Sequence, residues 1–266
     1  MTEEKKGAVK APKEEENNQA GQEQEKDPAK ISKVNKYEVS VEEMLKAGVH
    51  FGHKKSARNP QMDPYVFGIR KGISIINLEK TLDLFKEALN YIEKEIIEKN
   101  EQILIVGTKK QAKEFVRKVA EKAEMPYVNE RWLGGTFTNF EVISKRLRYL
   151  RENKQNLEKG GFDYMTKLEK VKLKKELEKL EEKMGGLQNL KKVPKAVFVL
   201  DIEKDNLTVE EAKKEGVKVI ALVDSNDNPK KIDYPIPANN DALSSLKYFL
   251  GVLLKRILEA QSKIKK

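Results

Sequence analysis

Three short apolar runs constrain this fold more than anything else in the chain: Ile103 to Val106, Ala196 to Leu200 and Val217 to Val223. A strand with one face in water alternates apolar and polar residues, whereas a near-continuous apolar strand is buried on both faces. Helical patterns follow each run, over Lys109 to Ala123, Thr208 to Glu215 and Asp241 to about Lys263. The alternation predicts an α/β protein whose mostly parallel sheet is doubly wound, flavodoxin- or Rossmann-like, and covered on both faces. Tyr127-Val128 reads as a further strand. Gly72 to Leu78 reads as another, ahead of a helix from Glu79 to Lys99 with Leu82, Phe85, Leu89, Ile92 and Ile96 on one face. Val41 to Ala47 is a short helix with Ser40 as N-cap and Glu43 at the capping-box position. Gly48 to Met62 reads as a basic loop.

Between the third and fourth strands the period changes. Phe140, Ile143, Leu147, Leu150 and Leu157 follow a heptad spacing, Gly160-Gly161 interrupts it, and Leu173, Leu177, Leu180, Met184 and Leu187 resume it. Two such helices about a glycine turn predict an antiparallel coiled-coil hairpin inserted in the α/β domain. A lid packed on the core is the alternative. The division is therefore 1–36 as a charged, disordered extension, 37–138 with 192–263 as the globular domain, and 139–191 as the insertion. Residues 1–36 hold too little apolar surface to offset the entropy of ordering them.

Charge narrows the function. The chain carries a formal +10. Residues 1–30 contain six Lys against eight Asp and Glu, so the remainder carries +12. A basic folded part points to a polyanionic partner, nucleic acid or an anionic membrane surface. There is no Cys, which excludes disulfides and thiolate metal sites. Neither a signal peptide nor an apolar run of membrane-spanning length is present. The expectation is a cytoplasmic protein with no membrane contact.

Candidate chemistry is sparse. The turn at Val106 to Ala112 has a strand–turn–helix context suited to phosphate but neither glycine-rich nucleotide motif. Lys109 and Lys110 there either meet an RNA phosphate or form an exposed basic turn. His50 and His53, the two histidines, stand three apart with no acidic residue between them, so packing or RNA contact is favoured over a metal site. Lys54, Lys55 and Arg58 make a phosphate-positioning loop. Asp201 and Asp224 directly follow strands, where α/β hydrolases keep carboxylates, yet no nucleophile accompanies them, so a structural use is favoured. Asn129 to Phe140, NERWLGGTFTNF, holds the single Trp. Its glycines permit an unusual backbone path, and Thr138 and Asn139 are placed to cap the following helix. Arg131 and Trp132 either stack on a base or sugar, or Trp132 plugs a seam in the core.

The runs AGVHFGHKKSARNPQMDPYVFGIRKGISIINLEKT, ILIVGTKKQA, NERWLGGTFTNF, ALVDSNDNP and IDYPIPANNDA, in this order, resemble the small-subunit ribosomal protein S-two family in its bacterial form. The likeness covers roughly Val39 to Ala260. It implies the same doubly wound domain with a helical hairpin, and a structural, non-catalytic constituent that binds ribosomal RNA. It further implies late joining during assembly, recruitment of the mRNA-binding protein S-one, and a monomer among neighbouring small-subunit proteins. The RNA-binding set expected is Lys54, Lys55, Arg58, Arg70, Lys71, Lys109, Lys110, Arg131, Trp132, Thr136, Thr138, Asn139, Arg146 and Arg148, with no catalytic residue, metal or cofactor. Three places depart from the family pattern: Arg58 stands where Trp is common, Ser74 and Asn77 where His and Asp are frequent, and Asn240-Asp241 where paired Asp is usual. Two other classes are an α/β enzyme using Asp201 and Asp224, and an adaptor whose coiled coil holds a partner protein.

Overall fold

The computed structural model describes residues 39–162 and 165–264, so the segment 1–36 lies outside the described residues. Two sheets organise the chain. The larger is built from β4 (Ile103–Val106), β5 (Tyr127–Val128), β6 (Ala196–Val199), β7 (Lys218–Val223) and β8 (Tyr234–Pro237). Its strands run parallel in the order β5-β4-β6-β7-β8. In the order of their occurrence this is 2-1-3-4-5, the doubly wound arrangement with its switch point between β4 and β6.

The apolar runs are buried on both faces because strand residues alternate sides. Ile103, Ile105, Phe198, Leu200, Ile220 and Leu222 join one core, which also holds Phe85 and Leu89 of α2 (Leu78–Tyr91), Val116 of α3 (Lys113–Ala123) and Phe249 of α7 (Leu243–Ile264). Leu104, Val106, Val197, Val199, Val219 and Ala221 join the other, with Val209 of α6 (Asn206–Lys214). That second face also receives Ile143 and Leu147 of α4 (Phe140–Glu158) and Met184 of α5 (Lys167–Met184). The proximal turns of α4 and α5 thus cover the sheet. Farther out, the seam between them is closed by Leu150 and Leu177, both buried.

The second sheet lies where the sequence reads as a basic loop. β1 (Phe51–Lys54), β2 (Val66–Arg70) and β3 (Ile73–Ile76) form an antiparallel sheet ordered β1-β3-β2. Only β3 corresponds to a strand expected from the sequence. α1 (Val41–Lys46) precedes it, with the Ser40 hydroxyl accepting from Glu43 N–H as expected. α2 begins on Asn77, whose side chain accepts from Glu79 and Lys80 N–H, which gives this departure from the family pattern a capping role. α2 continues into a π-helical turn at Ile92–Ile97. α3 starts four residues later than the pattern suggests, at Lys113, because residues 110–112 form turns.

Candidate nucleic-acid interface

β2 and β3 are joined by Lys71 and Gly72, both with positive φ, +51° and +78°. Two such residues make the tight hairpin turn whose twist matches the strands, and glycine at the second position removes half the strain. The turn puts Lys71 at the tip. Lys55 N–H donates to the Gly72 carbonyl at 2.9 Å, which brings Lys54 and Lys55 to the same tip. Lys54, Lys55, Arg70 and Lys71 are all exposed, and among the described residues none of them is in an ion pair. Beside these cations the same sheet exposes Phe67 (79%), Phe51, Ile69 and Ile73. A cationic rim around uncovered apolar side chains is the signature of a docking surface.

The sheet is pinned to the parallel sheet through Ser225, at the end of β7. Its hydroxyl accepts from His53 N–H at 2.7 Å and its carbonyl from Asn59 N–H at 2.8 Å. Arg58 is half-buried, with Nε 3.2 Å from Asp63. His50 lies with its ring centroid 4.0 Å from that of Phe51, and burial lowers its pKa.

The NERWLGGTFTNF segment wraps one buried anion. Glu211, on α6 and 5% exposed, accepts from Trp132 Nε1 at 3.2 Å, Gly135 N–H at 2.7 Å and Phe137 N–H at 3.0 Å. Gly135 has φ +88°, the left-handed geometry that lets consecutive amides turn toward one carboxylate. Trp132 stacks edge-on against Phe137, with centroids 4.9 Å apart, and sits in the core. It therefore plugs the seam and presents no face to a base. Thr136 is fully buried, donating to the Leu133 carbonyl. Arg131, Thr138 and Asn139 remain exposed, as do Arg146 and Arg148 on α4. Asn139 occupies the N-cap position without a side-chain cap bond.

The carboxyl edge of the parallel sheet carries a polar cluster around Lys109. Lys109 turns inward: its ammonium lies 2.9 Å from Asp201 Oδ2 and 2.7 Å from Asp241 Oδ1, and donates to the carbonyl and side-chain oxygen of Asn240. Burial works against its charge, but the Asp241 and Asp201 carboxylates outweigh it, and its pKa is raised. Lys110 stays exposed. Asp201 also accepts from Glu203 and Lys204 N–H, and Asp224 from Ser225 and Asn240 N–H. Both carboxylates thus tie down backbone. Asp205, which accepts from the Thr108 hydroxyl at 2.9 Å, is pushed by burial to about 6, and Asp227 to about 7.

A basic doubly wound α/β protein whose sheet-edge carboxylates hold backbone, and in which four free cations gather on a small side sheet, is a binding scaffold. A family model described as "Ribosomal protein S2" matches residues 44–260. The chain is 41% identical over 221 residues to "Small ribosomal subunit protein uS2" of Francisella philomiragia, covering 83% of this chain and 92% of that one. It is 42% identical over 221 residues to the protein of the same description from Francisella tularensis subsp. novicida, with the same coverage. The chain belongs to the ribosomal protein S2 family and is a structural, non-enzymatic protein of the small ribosomal subunit. Among the described residues no helix is long and apolar enough to cross a membrane.

Proposed function

We propose that the chain binds small-subunit ribosomal RNA through the hairpin tip of its small sheet, with Lys54, Lys55, Arg70 and Lys71 neutralising phosphates. The observation that carries this reading is the convergence of these four unpaired cations on one tip. Arg131, Arg146, Arg148 and Lys110, all exposed, extend the candidate surface, and the half-buried Arg58, paired with Asp63, adds a further cation. Lys109, Trp132 and Thr136 are left out because they are engaged inside the fold. Backbone neutralisation and shape carry such docking more than base readout.

A second contact of this kind of protein, with the mRNA-binding protein S-one, is supported by a different observation. Phe51, Phe67, Ile69 and Ile73 are apolar surface on the same sheet, suited to a protein partner rather than to phosphate. The chain joins the subunit late, as a cytoplasmic monomer held among neighbouring ribosomal proteins. The segment 139–191 serves as an arm whose distal half reaches those neighbours.

Sedimentation of the tagged chain from its own lysate tests the proposal. Comigration with small subunits that weakens with salt, and weakens further in a Lys54→Ala/Lys55→Ala/Lys71→Ala variant, is the expected result. A variant that comigrates as firmly as the parent at every salt concentration sinks the assignment of the tip.

A further inference from the structure

We infer that the chain holds one unstacked nucleotide of single-stranded RNA in a cavity at the root of the α4–α5 hairpin, with Arg148, Arg151 and Lys191 on its phosphates and free side-chain amides on its base. The inference rests on the RNA-binding reading above and adds a second contact to it. The cavity measures about 740 Å³, within the range of sites that take a small organic ligand. Gln102 directly precedes β4, Gln188 to Lys191 lie between α5 and β6, and Ser144 to Arg151 belong to α4. These positions put the cavity at the amino edge of the parallel sheet. The small sheet is tied to the opposite edge, through Ser225 after β7. The cavity is therefore separate from the hairpin tip.

Its lining has the parts a nucleotide needs, and the first is charge. Arg148 and Arg151 stand three apart on α4 and so share a helix face, and Lys191 meets them from the connection between α5 and β6. All three are exposed, and among the described residues none of them is in an ion pair. Their neighbours are engaged elsewhere, Lys154 with Glu181 and Lys192 with Glu101. Glu124 is the one carboxylate on the lining, so three cations leave a net positive charge suited to phosphate. Arginine pairs bidentately with phosphate, and its guanidinium plane also stacks on a base.

The second part is base-edge chemistry. Among the described residues the side-chain amides of Gln188 and Asn189 make no hydrogen bond. Gln102 uses only its Nε2, which donates to the Asn189 carbonyl at 3.1 Å and ties the sheet edge to the loop that carries the other two amides. An amide offers donors and an acceptor together, the pattern that reads the edge of an unstacked base. The floor is rigid: Leu147 and Leu190 are buried in the core of that sheet face. Paired RNA keeps its base edges inside the helix, so recessed amides meet only a base that has left the stack. A free nucleotide shares this chemistry. However, no glycine-rich loop cradles phosphate here, and a nucleotide within a strand gains effective concentration from its neighbours' phosphate contacts. An acidic peptide would answer the charges alone.

The test is fluorescence anisotropy of the full chain with short labelled oligo-A, oligo-C and oligo-U RNAs and with an RNA duplex of the same length. Arg148→Ala/Arg151→Ala, at exposed helical positions that accept alanine, should weaken single-strand binding about tenfold and duplex binding far less. Asn189→Ala should narrow the differences in affinity among the three single strands. A thiouridine-bearing oligonucleotide should crosslink to residues 144–151 or 188–191. Undiminished single-strand binding in the double Arg variant, an equal loss for strand and duplex, or crosslinks confined to other segments overturns the cavity. So does UMP or AMP binding as tightly as the oligonucleotides, which would make a free nucleotide the ligand, or displacement of the RNA by polyglutamate at equal concentration. Circular dichroism of each variant confirms that it is folded. Lys54→Ala/Lys55→Ala/Lys71→Ala, measured alongside, separates the two readings. A weakened tip variant beside a silent double Arg variant removes the cavity and leaves the tip, and the converse removes the tip alone.

Discussion

Trp132 donates its indole N–H to Glu211 Oε1 across 3.2 Å, and this bond joins the most unusual segment of the sequence to the helix it covers. Glu211 is buried and also holds the Gly135 and Phe137 amides. Removing the carboxylate leaves three donors without an acceptor, two of them buried and that of Gly135 partly so. Glu211→Ala is expected to destabilise the fold by roughly 3–5 kcal/mol, and Glu211→Gln by less because it keeps one acceptor. Urea unfolding measures both. A loss below 1 kcal/mol for Glu211→Ala would show that the segment is held by packing alone.

The returning end of α5 makes a second prediction. A Cβ built on Gly186 would lie 2.3 Å from the Tyr127 carbonyl oxygen of β5, so an edge strand of the main sheet must shift to admit it. Gly186→Ala should cost roughly 2–3 kcal/mol. Gly135→Ala, where the difficulty is the positive φ, should cost roughly 1–2 kcal/mol. Chemical unfolding decides the order. Equal or reversed costs would mean that the β5 edge yields easily.

Lys54 and Lys109, both members of the RNA-binding set expected from the sequence, should separate cleanly. Lys54 is exposed and unpaired, whereas Lys109 is held by Asp201 and Asp241. Lys54→Ala should lower the salt dependence of RNA binding by about one unit of slope while leaving stability unchanged. Lys109→Ala strands the buried Asp201 carboxylate and should cost about 3 kcal/mol of stability. Filter binding across a salt series, paired with thermal unfolding, checks both. A large loss of stability in Lys54→Ala would contradict its placement.

What the sequence disclosed follows from which signals are local. β4, β6 and β7 are legible because a strand buried on both faces is apolar throughout, and α7 because its period is sustained over six turns. β8 is not, since Pro235 and Pro237 argue against a strand anywhere except at an edge, which is where it lies. β1 and β2 contain Gly52, Gly68 and several cations, and their pairing with β3 depends on a two-residue turn at Lys71-Gly72 that carries no Asn or Asp. The site divides in the same way. Exposed cations can be read from composition, but the inward turn of Lys109 and the anchoring of Trp132 depend on Asp241 and Glu211, which stand 132 and 79 residues away. A lone Trp beside glycines carries no local signal to separate stacking from packing.

Asp205 gives the chain a measurable pH dependence. Burial raises its pKa from 3.8 to about 6, and its bonds from Thr108 only partly offset that. Because the folded value lies above the unfolded one, the native state binds more protons than the unfolded chain between the two. Stability contributed at this position is therefore full below about pH 4, falls as pH rises through 6, and is flat above it. A displacement of that size corresponds to at most about 3 kcal/mol. Asp205→Asn keeps an acceptor for Thr108 without the ionisation, so the parent should lose stability relative to the variant as pH rises from 4 to 7. Paired urea titrations across that range isolate the difference, since every other titrating group is common to both proteins. If the two curves run parallel, the Asp205 carboxyl ionises normally and the Thr108 contact stabilises its charged form fully.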